Sequence, residues 1–201
     1  MENMVMDKMP QVVGIYGSPR VGGNTDILMD ILLAEIERAQ ISISKVYPRR
    51  LKMQGCIECG QCDETGACAL KDDMQNIYPL LEKANVVILS SPVFFYGVSW
   101  QCKALIDRAQ ALWSKKRLGL LSKREGFSGG YIVSVGATKG KNLFLGVELV
   151  AKYFFDALDL KYLGGVFYRG IEKKGEVTGH QEILTEIKKL GEQIQNQIKA
   201  G

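Results

Sequence analysis

Hydrophobic runs with the period of strands alternate along this chain with stretches that are apolar at helical spacing. QVVGIYG, residues 11–17, is a short β-branched run that ends in glycine, and DILMDILLAEIERAQ follows after the loop SPRVGGNT. The helical spacing puts Ile27, Leu28, Ile31, Leu32 and Ile36 on an inward face, assigns Asp26, Asp30, Glu35 and Glu37 to water, and leaves Asn24 or Thr25 as the cap. ISISKVY, from Ile41, alternates like a second strand and breaks at Pro48. DDMQNIYPLLEKA repeats Met74, Ile77, Leu80 and Leu81 at helix spacing, with Pro79 predicting a kink or a short first turn. NVVILSSPV, from Asn85, is almost uniformly apolar, the pattern of a central parallel strand covered on both faces. WQCKALIDRAQALW then reads as one helix, GGYIVSVG as a fourth strand, NLFLGVELVAKYFFDALDL as a long helix and KYLGGVFYRG as a fifth strand. IEKKGEVTG is a turn-rich link to the final charged helix, HQEILTEIKKLGEQIQNQIKA. Strand and helix alternating five times predict an α/β fold: a doubly wound five-stranded parallel sheet with helices on both faces.

Composition narrows the function. A chain of 201 residues, 46% hydrophobic, is expected to form a single domain over 1–201 around one core. The first residues, MENMVMDKMPQ, lack the basic end and apolar run of a signal peptide, and no long apolar run follows, so a cytoplasmic protein without a membrane segment is expected. A net charge of +4 suits phosphorylated ligands or an acidic partner and is too small to imply nucleic acid. The basic run 114–125, with Lys115, Lys116, Arg117, Lys123 and Arg124, is either a docking patch for an acidic electron carrier or a solvated linker. His180 is the single histidine and has no nucleophile or carboxylate constellation around it, which argues against hydrolysis. Asp72 and Asp73 read as helix-start carboxylates rather than an acid/base pair.

Chemistry concentrates in one insertion, at about 53–70, on the connection after the second strand. CIECGQCDETGAC holds Cys56, Cys59, Cys62 and Cys68 in a C-x2-C-x2-C-x5-C array. Three cysteines spaced three apart converge on one compact turn, and a fourth can close a cage, as iron–sulfur ligation by four thiolates requires. Zinc more often takes two separated pairs, and a redox-sensing disulfide or bare thiols are the other readings. Cys102, on a predicted helix, reads as core. In sheets of this kind ligands bind beyond the carboxyl ends of the strands, which selects the loops 17–25, 91–97 and 134–141. The first offers backbone N–H groups, hydroxyls and Arg20 at a helix start, suited to a phosphate dianion. It is neither a Walker A loop nor G-x-G-x-x-G, which disfavours a nucleotide triphosphatase. The second carries aromatic residues on which a flat ligand could stack, and the third two glycines and Thr138.

GSPRVGGNT, SSPVFFYGVSWQCKALIDRAQALW and VGATKGKNLFLGVELVAKYFFDALDL resemble the flavodoxin-like NAD(P)H-dependent FMN reductases, and with CIECGQCDETGAC the whole chain resembles the iron-sulfur flavoproteins. The resemblance implies Ser18, Arg20, Gly23, Asn24 and Thr25 as partners of the FMN phosphate. It implies Pro92, Val93, Phe94, Phe95, Tyr96 and Gly97 at the isoalloxazine, with Ser134, Gly136, Ala137, Thr138 and Gly140 on its other flank. It further implies Cys56, Cys59, Cys62 and Cys68 as ligands of a [4Fe-4S] cluster. The expected function is electron transfer between FMN, the cluster and a carrier such as ferredoxin, with no catalytic side chain and a homodimeric or homotetrameric assembly. The alternative is an NAD(P)H-dependent reductase of FMN or quinones whose cysteines are zinc-bound, disulfide-forming or vestigial; a partner-binding module without catalysis is the third.

Overall fold

A computed structural model describes residues 11–38 and 41–200. The elements in chain order are β1 (Gln11–Tyr16), α1 (Asn24–Glu37), β2 (Ser42–Val46), a 3-10 turn at Pro48–Arg50, α2 (Gln61–Thr65), α3 (Met74–Lys83), β3 (Val86–Pro92), α4 (Trp100–Arg108), α5 (Gln110–Arg117), β4 (Gly129–Gly136), α6 (Leu145–Ala157), β5 (Tyr162–Arg169), a 3-10 turn at Glu176–Gly179 and α7 (Gln181–Ala200). The last two residues expected for the first helix, Ala39 and Gln40, lie outside the described residues.

All strand pairs are parallel, in the order β2-β1-β3-β4-β5. The first strand therefore lies in the interior of the sheet, and the chain steps from it to one edge at β2 and returns across β1 to β3. The crevice of such a sheet opens where the order reverses, between the carboxyl ends of β1 and β3. Helices α3 to α6 cover one face through Met74, Leu81, Leu105, Leu112, Val147 and Phe155, while α1 and α7 cover the other through Leu28, Leu32, Ile187 and Ile194. β3 lies between the two layers and is buried from Val86 to Ser91, as its unbroken apolar run predicts. Gly130 admits Phe155: a β-carbon there would sit 2.3 Å from the ring.

Four local expectations are corrected. Asp26 and Glu35 are buried rather than solvated, Asp26 against Arg49 and Glu35 beside Arg38. Gly23, not Asn24 or Thr25, precedes the first turn of α1, with no side-chain cap. Pro79 sits inside α3, which continues to Lys83. The single helix expected over 100–113 divides at Ala109, whose N–H reaches back to Ile106 O at 3.0 Å. That tightening places Arg108 on the inward side of the junction, fully buried. Lys115 pairs with Glu82, Lys116 with Asp156 and Asp159, and Arg124 donates to Ala84 O and Leu81 O. Most of the basic run is thus engaged within the fold and does not form a free docking patch.

Candidate functional site

The carboxyl ends of β1, β3 and β4 enclose a cavity of about 200 Å³. Ser18, Arg20, Gly23, Asn24 and Thr25 form one wall, and Pro92, Val93, Phe94 and Ala137 stand opposite. Close packing sets the loop at the first wall. Gly17 N donates to Ser90 O at 2.7 Å, and a β-carbon at Gly17 would meet that oxygen at 2.5 Å and the Cys102 sulfur at 2.8 Å. Ser99 caps α4 by accepting from Cys102 N and donates its hydroxyl to Gly17 O, so the β1 and β3 loops share one hydrogen-bonded seam. Cys102 is core, and burial pushes its thiol up to about 12.

Two charged residues that sequence reasoning left out support the loop from below. Asp26 accepts from Gly22 N at 3.0 Å and pairs with Arg49 at 2.8 Å, and Arg49 also donates to Ser18 O at 3.0 Å. Asn24 spends its side chain on the β5–α7 connection, donating to Lys173 O at 2.8 Å and accepting from Val177 N at 3.2 Å. Its remaining contribution to a ligand is its backbone at the start of α1. Thr25 is different: its hydroxyl is buried, lies in the wall of the cavity and has no hydrogen-bond partner among the described residues. A buried hydroxyl beside the backbone N–H groups of a helix's first turn is a donor set suited to an anion, and the phosphate of FMN fits it.

Phe94 to Gly97 close a tight two-residue turn, with Phe94 N on Gly97 O at 2.9 Å and Gly97 N on Phe94 O at 2.8 Å. Its central residues, Phe95 and Tyr96, take φ of 46° and 63°, a region that aromatic residues rarely adopt. The turn carries the Phe95 ring fully into solvent, while Phe94 reaches the cavity. The third loop and the start of α6 pack against this turn: a β-carbon at Gly140 would meet the Tyr96 hydroxyl at 3.0 Å, and one at Gly146, in the first turn of α6, Tyr96 O at 2.3 Å. Ser134 and Gly136 are buried in β4, where Ser134 donates to Ser91 O at 2.8 Å, and Thr138 is exposed at the rim. The structure adds Pro19, Val135, Ile171 and Glu172 to the cavity wall. The last two follow β5; the parallel order that brings this fourth strand end beside β4 was the signal for them.

A second cavity, of about 550 Å³, lies under the inserted arm and is lined by all four array cysteines together with Asp107, Arg108, Gln110 and Ala111. Cys62 sits on α2, flanked by Gly60 and Gly66 at φ of 76° and 67°. Cys56 and Cys59 are exposed and Cys62 and Cys68 half-buried. The arm is pinned by Asp73, which accepts from Lys52 N at 2.7 Å, and by Asp72, which accepts from Gln54 N at 3.3 Å and pairs with Arg108 at 2.7 Å. Arg108 also donates to Gln54 O at 3.0 Å, while its Nε, buried, has no partner among the described residues. Burial raises the Cys68 thiol, but the Tyr78 hydroxyl, Leu70 N–H and Arg108 together hold it below its ordinary value. Among the described residues no three Cys, His, Asp or Glu side chains are drawn together as a metal set. The four thiols share a cavity without converging. The donor chemistry nevertheless fits a thiolate-ligated cluster: four soft donors, a buried cation in the wall, and Glu58 N–H already on the Cys56 sulfur at 3.4 Å.

Residues 10–168 match the sequence pattern of the NADPH-dependent FMN reductases. The chain belongs to that family. Family membership makes it a flavin-dependent oxidoreductase. Among its relatives, an iron-sulfur flavoprotein of Methanocaldococcus jannaschii is 33% identical over 144 residues, 72% of this chain and 71% of that one. Another, from Archaeoglobus fulgidus, is 40% identical over 98 residues, which make up 49% of this chain and 44% of the relative. In that comparison the match spans less than half of either chain. An archaeal flavodoxin superposes with a TM-score of 0.55 at 12% identity, covering 95% of this chain and 99% of that one, which makes the fold flavodoxin-like. No helix among the described residues is long and apolar enough to cross a membrane.

Proposed function

We propose that the protein passes electrons between FMN at the strand ends and a [4Fe-4S] cluster held by Cys56, Cys59, Cys62 and Cys68, with a carrier such as ferredoxin as its partner. The observation that carries this is the single cavity shared by the four thiols and the buried Arg108. Bound FMN supplies the ability to take electrons singly or in pairs, which a one-electron centre alone lacks. The chain's own groups bind and orient. Thr25, Ser18, Arg20 and the first N–H groups of α1 take the phosphate, and Phe94 and Ala137 take the ring. The Asp26–Arg49 pair keeps the phosphate loop in shape before the cofactor arrives, so less ordering has to occur on binding. No side chain is assigned as a catalytic acid or base.

A second copy of the chain would cover the exposed Trp100, Leu149 and Tyr153, of which Leu149 and Tyr153 line one groove with Ile106 and Trp113, and these residues are expected at a homo-oligomer interface. Tyr153→Glu, followed by light scattering, tests this: an unchanged mass would rule the surface out.

Anaerobic purification with an absorption spectrum and counts of iron and acid-labile sulfide tests the main assignment. Iron and sulfide in equal amounts are expected, lost in Cys59→Ala with flavin retained, whereas Arg20→Ala should weaken FMN and spare iron. A second reading, an NAD(P)H-dependent FMN or quinone reductase without a cluster, is favoured by the thiols that do not converge. Turnover of a quinone with NAD(P)H by a protein free of sulfide would establish it in place of the first.

A further inference from the structure

The cation in the wall of the cysteine cavity is not explained by folding alone. Arg108 ends α4 in the interior, with 1% of its surface exposed, although an arginine with this reach could have run to solvent. Its two terminal nitrogens are engaged on the arm side, at Asp72 and Gln54 O. The third nitrogen, Nε, is buried and unpartnered, and the residue lines the cavity of the four thiols while Asp72 does not. The ion pair is therefore a dipole with its positive end toward the sulfurs. The carboxylates that share this cavity are paired, hydrogen-bonded or open to solvent: Asp107 is paired with Lys103, Asp63 accepts from Ser114 at 2.9 Å, and Glu58 is exposed.

We infer that Arg108 is a positioning residue that sets the potential of the thiolate-ligated centre, stabilising its more negative, reduced form through a fixed charge and a free Nε–H. This rests on the cluster proposed above. A guanidinium stays charged at any working pH, and a hydrogen-bond donor or a cation next to cluster sulfur raises the reduction potential. A merely structural pair makes a different prediction from an electrostatic one. If the pair only latches the arm, removing either partner loosens the same latch, and both variants move the potential the same way. If Arg108 acts by charge, the two variants move it in opposite directions.

The test is an anaerobic redox titration of the whole protein, followed by electron paramagnetic resonance, for wild type, Arg108→Gln and Asp72→Asn. Arg108→Gln is expected to lower the cluster potential by about tenfold in the one-electron equilibrium, or ~59 mV, and Asp72→Asn to raise it in the opposite sense. The flavin potential should move less than the cluster potential in both. Should Arg108→Gln fail to retain iron, Arg108→Lys, which keeps the charge, is expected to hold the wild-type potential within threefold while Asp72→Asn still shifts upward. Shifts of the same sign, or an Asp72→Asn protein that does not shift, would overturn the role of Arg108 alone. Wild-type protein without iron and sulfide would overturn the cluster assignment, and this inference with it.

Discussion

Thr25→Val separates what the phosphate loop does for the cofactor from what it does for the fold. Valine keeps the β-branched shape and its rotamer preference and replaces only the hydroxyl with a methyl group. Without flavin, Thr25 is 2% exposed and its buried hydroxyl has no partner among the described residues, so its removal relieves an unpaired buried polar group. Such a group costs about 1–3 kcal/mol, and at the lower end the variant gains about 1 kcal/mol, or ~2–4 °C in Tm for a chain of this size. With FMN bound, the same hydroxyl donates to a dianion. Hydrogen bonds to charged groups contribute about 1.5–3 kcal/mol, which corresponds to a Kd for FMN weaker by ~10–150-fold. Riboflavin lacks the phosphate and should bind both proteins alike. Flavin fluorescence titrations with FMN and riboflavin at fixed ionic strength, together with thermal unfolding of the flavin-free chain, read all three quantities. An FMN affinity within threefold of wild type, or an equal loss for riboflavin, would refute the assignment of Thr25 to the phosphate.

Arg49→Met strips the partner from a buried Asp26 and should cost about 3–5 kcal/mol, on the order of 10 °C in Tm by calorimetry, and weaken FMN as well. A loss below 1 kcal/mol would mean that Asp26 finds another partner. Phe95→Asn removes a fully exposed ring from a left-handed position that asparagine tolerates. It should stabilise the flavin-free chain by about 1 kcal/mol in urea unfolding, and a loss of stability would show that the ring packs. Alkylation of the native chain after removal of metal should label Cys56, Cys59, Cys62 and Cys68 and reach Cys102 only in denaturant, because burial holds that thiol up near 12. Mass spectrometry showing Cys102 labelled as fast as Cys56 would contradict its burial. Arg108, against the smaller effect of burial, holds the Asp72 carboxyl below its ordinary 3.8, so its stabilisation is present above that value and lost as pH falls through the lowered pKa. The stability difference between wild type and Asp72→Asn should therefore be flat from about pH 8 to 5 and shrink below 3.8; a difference that persists at lower pH would argue against the pair.

Much of this architecture is visible in the hydrophobic pattern because each strand and helix buries a contiguous apolar set. The run 85–93 could only be a strand covered on both faces, and it is β3. The array of cysteines was likewise legible, since its spacing brings four soft donors onto one short segment. Features that depend on pairing were not. Asp26 and Glu35 occupy positions that helical periodicity assigns to water, and their burial is matched by Arg49, which reaches Asp26 from beyond β2, and by Arg38, one turn on from Glu35 at the end of the same helix. The division at Ala109 has no glycine or proline to announce it. The cavity wall beyond β5 was missed because the three loops considered follow β1, β3 and β4, and nothing in Ile171 or Glu172 itself marks a ligand contact.

The two arginines that local reasoning overlooked explain how a cysteine arm can be mounted on a flavin-binding sheet. Arg49 stands just before the arm and holds Ser18 and Asp26 of the phosphate loop. Arg108 receives the arm at Gln54 and at Asp72, on either side of the cysteines. Each is a buried, forked donor, which fixes direction as well as distance in a way that a lysine could not. The arm has little apolar surface of its own, since its residues from Cys56 to Thr65 are exposed or half-buried. Its position therefore comes mainly from polar anchors, these arginines together with Asp73 on Lys52 N and Ser114 on Asp63, rather than from a core of its own. Such anchoring is strong while both partners are present and costly to break, which makes the arm's geometry sensitive to single substitutions far from any cysteine. A sheet that binds flavin needs neither arginine for its core, and the two residues together are what join the cysteine segment to the cofactor loop.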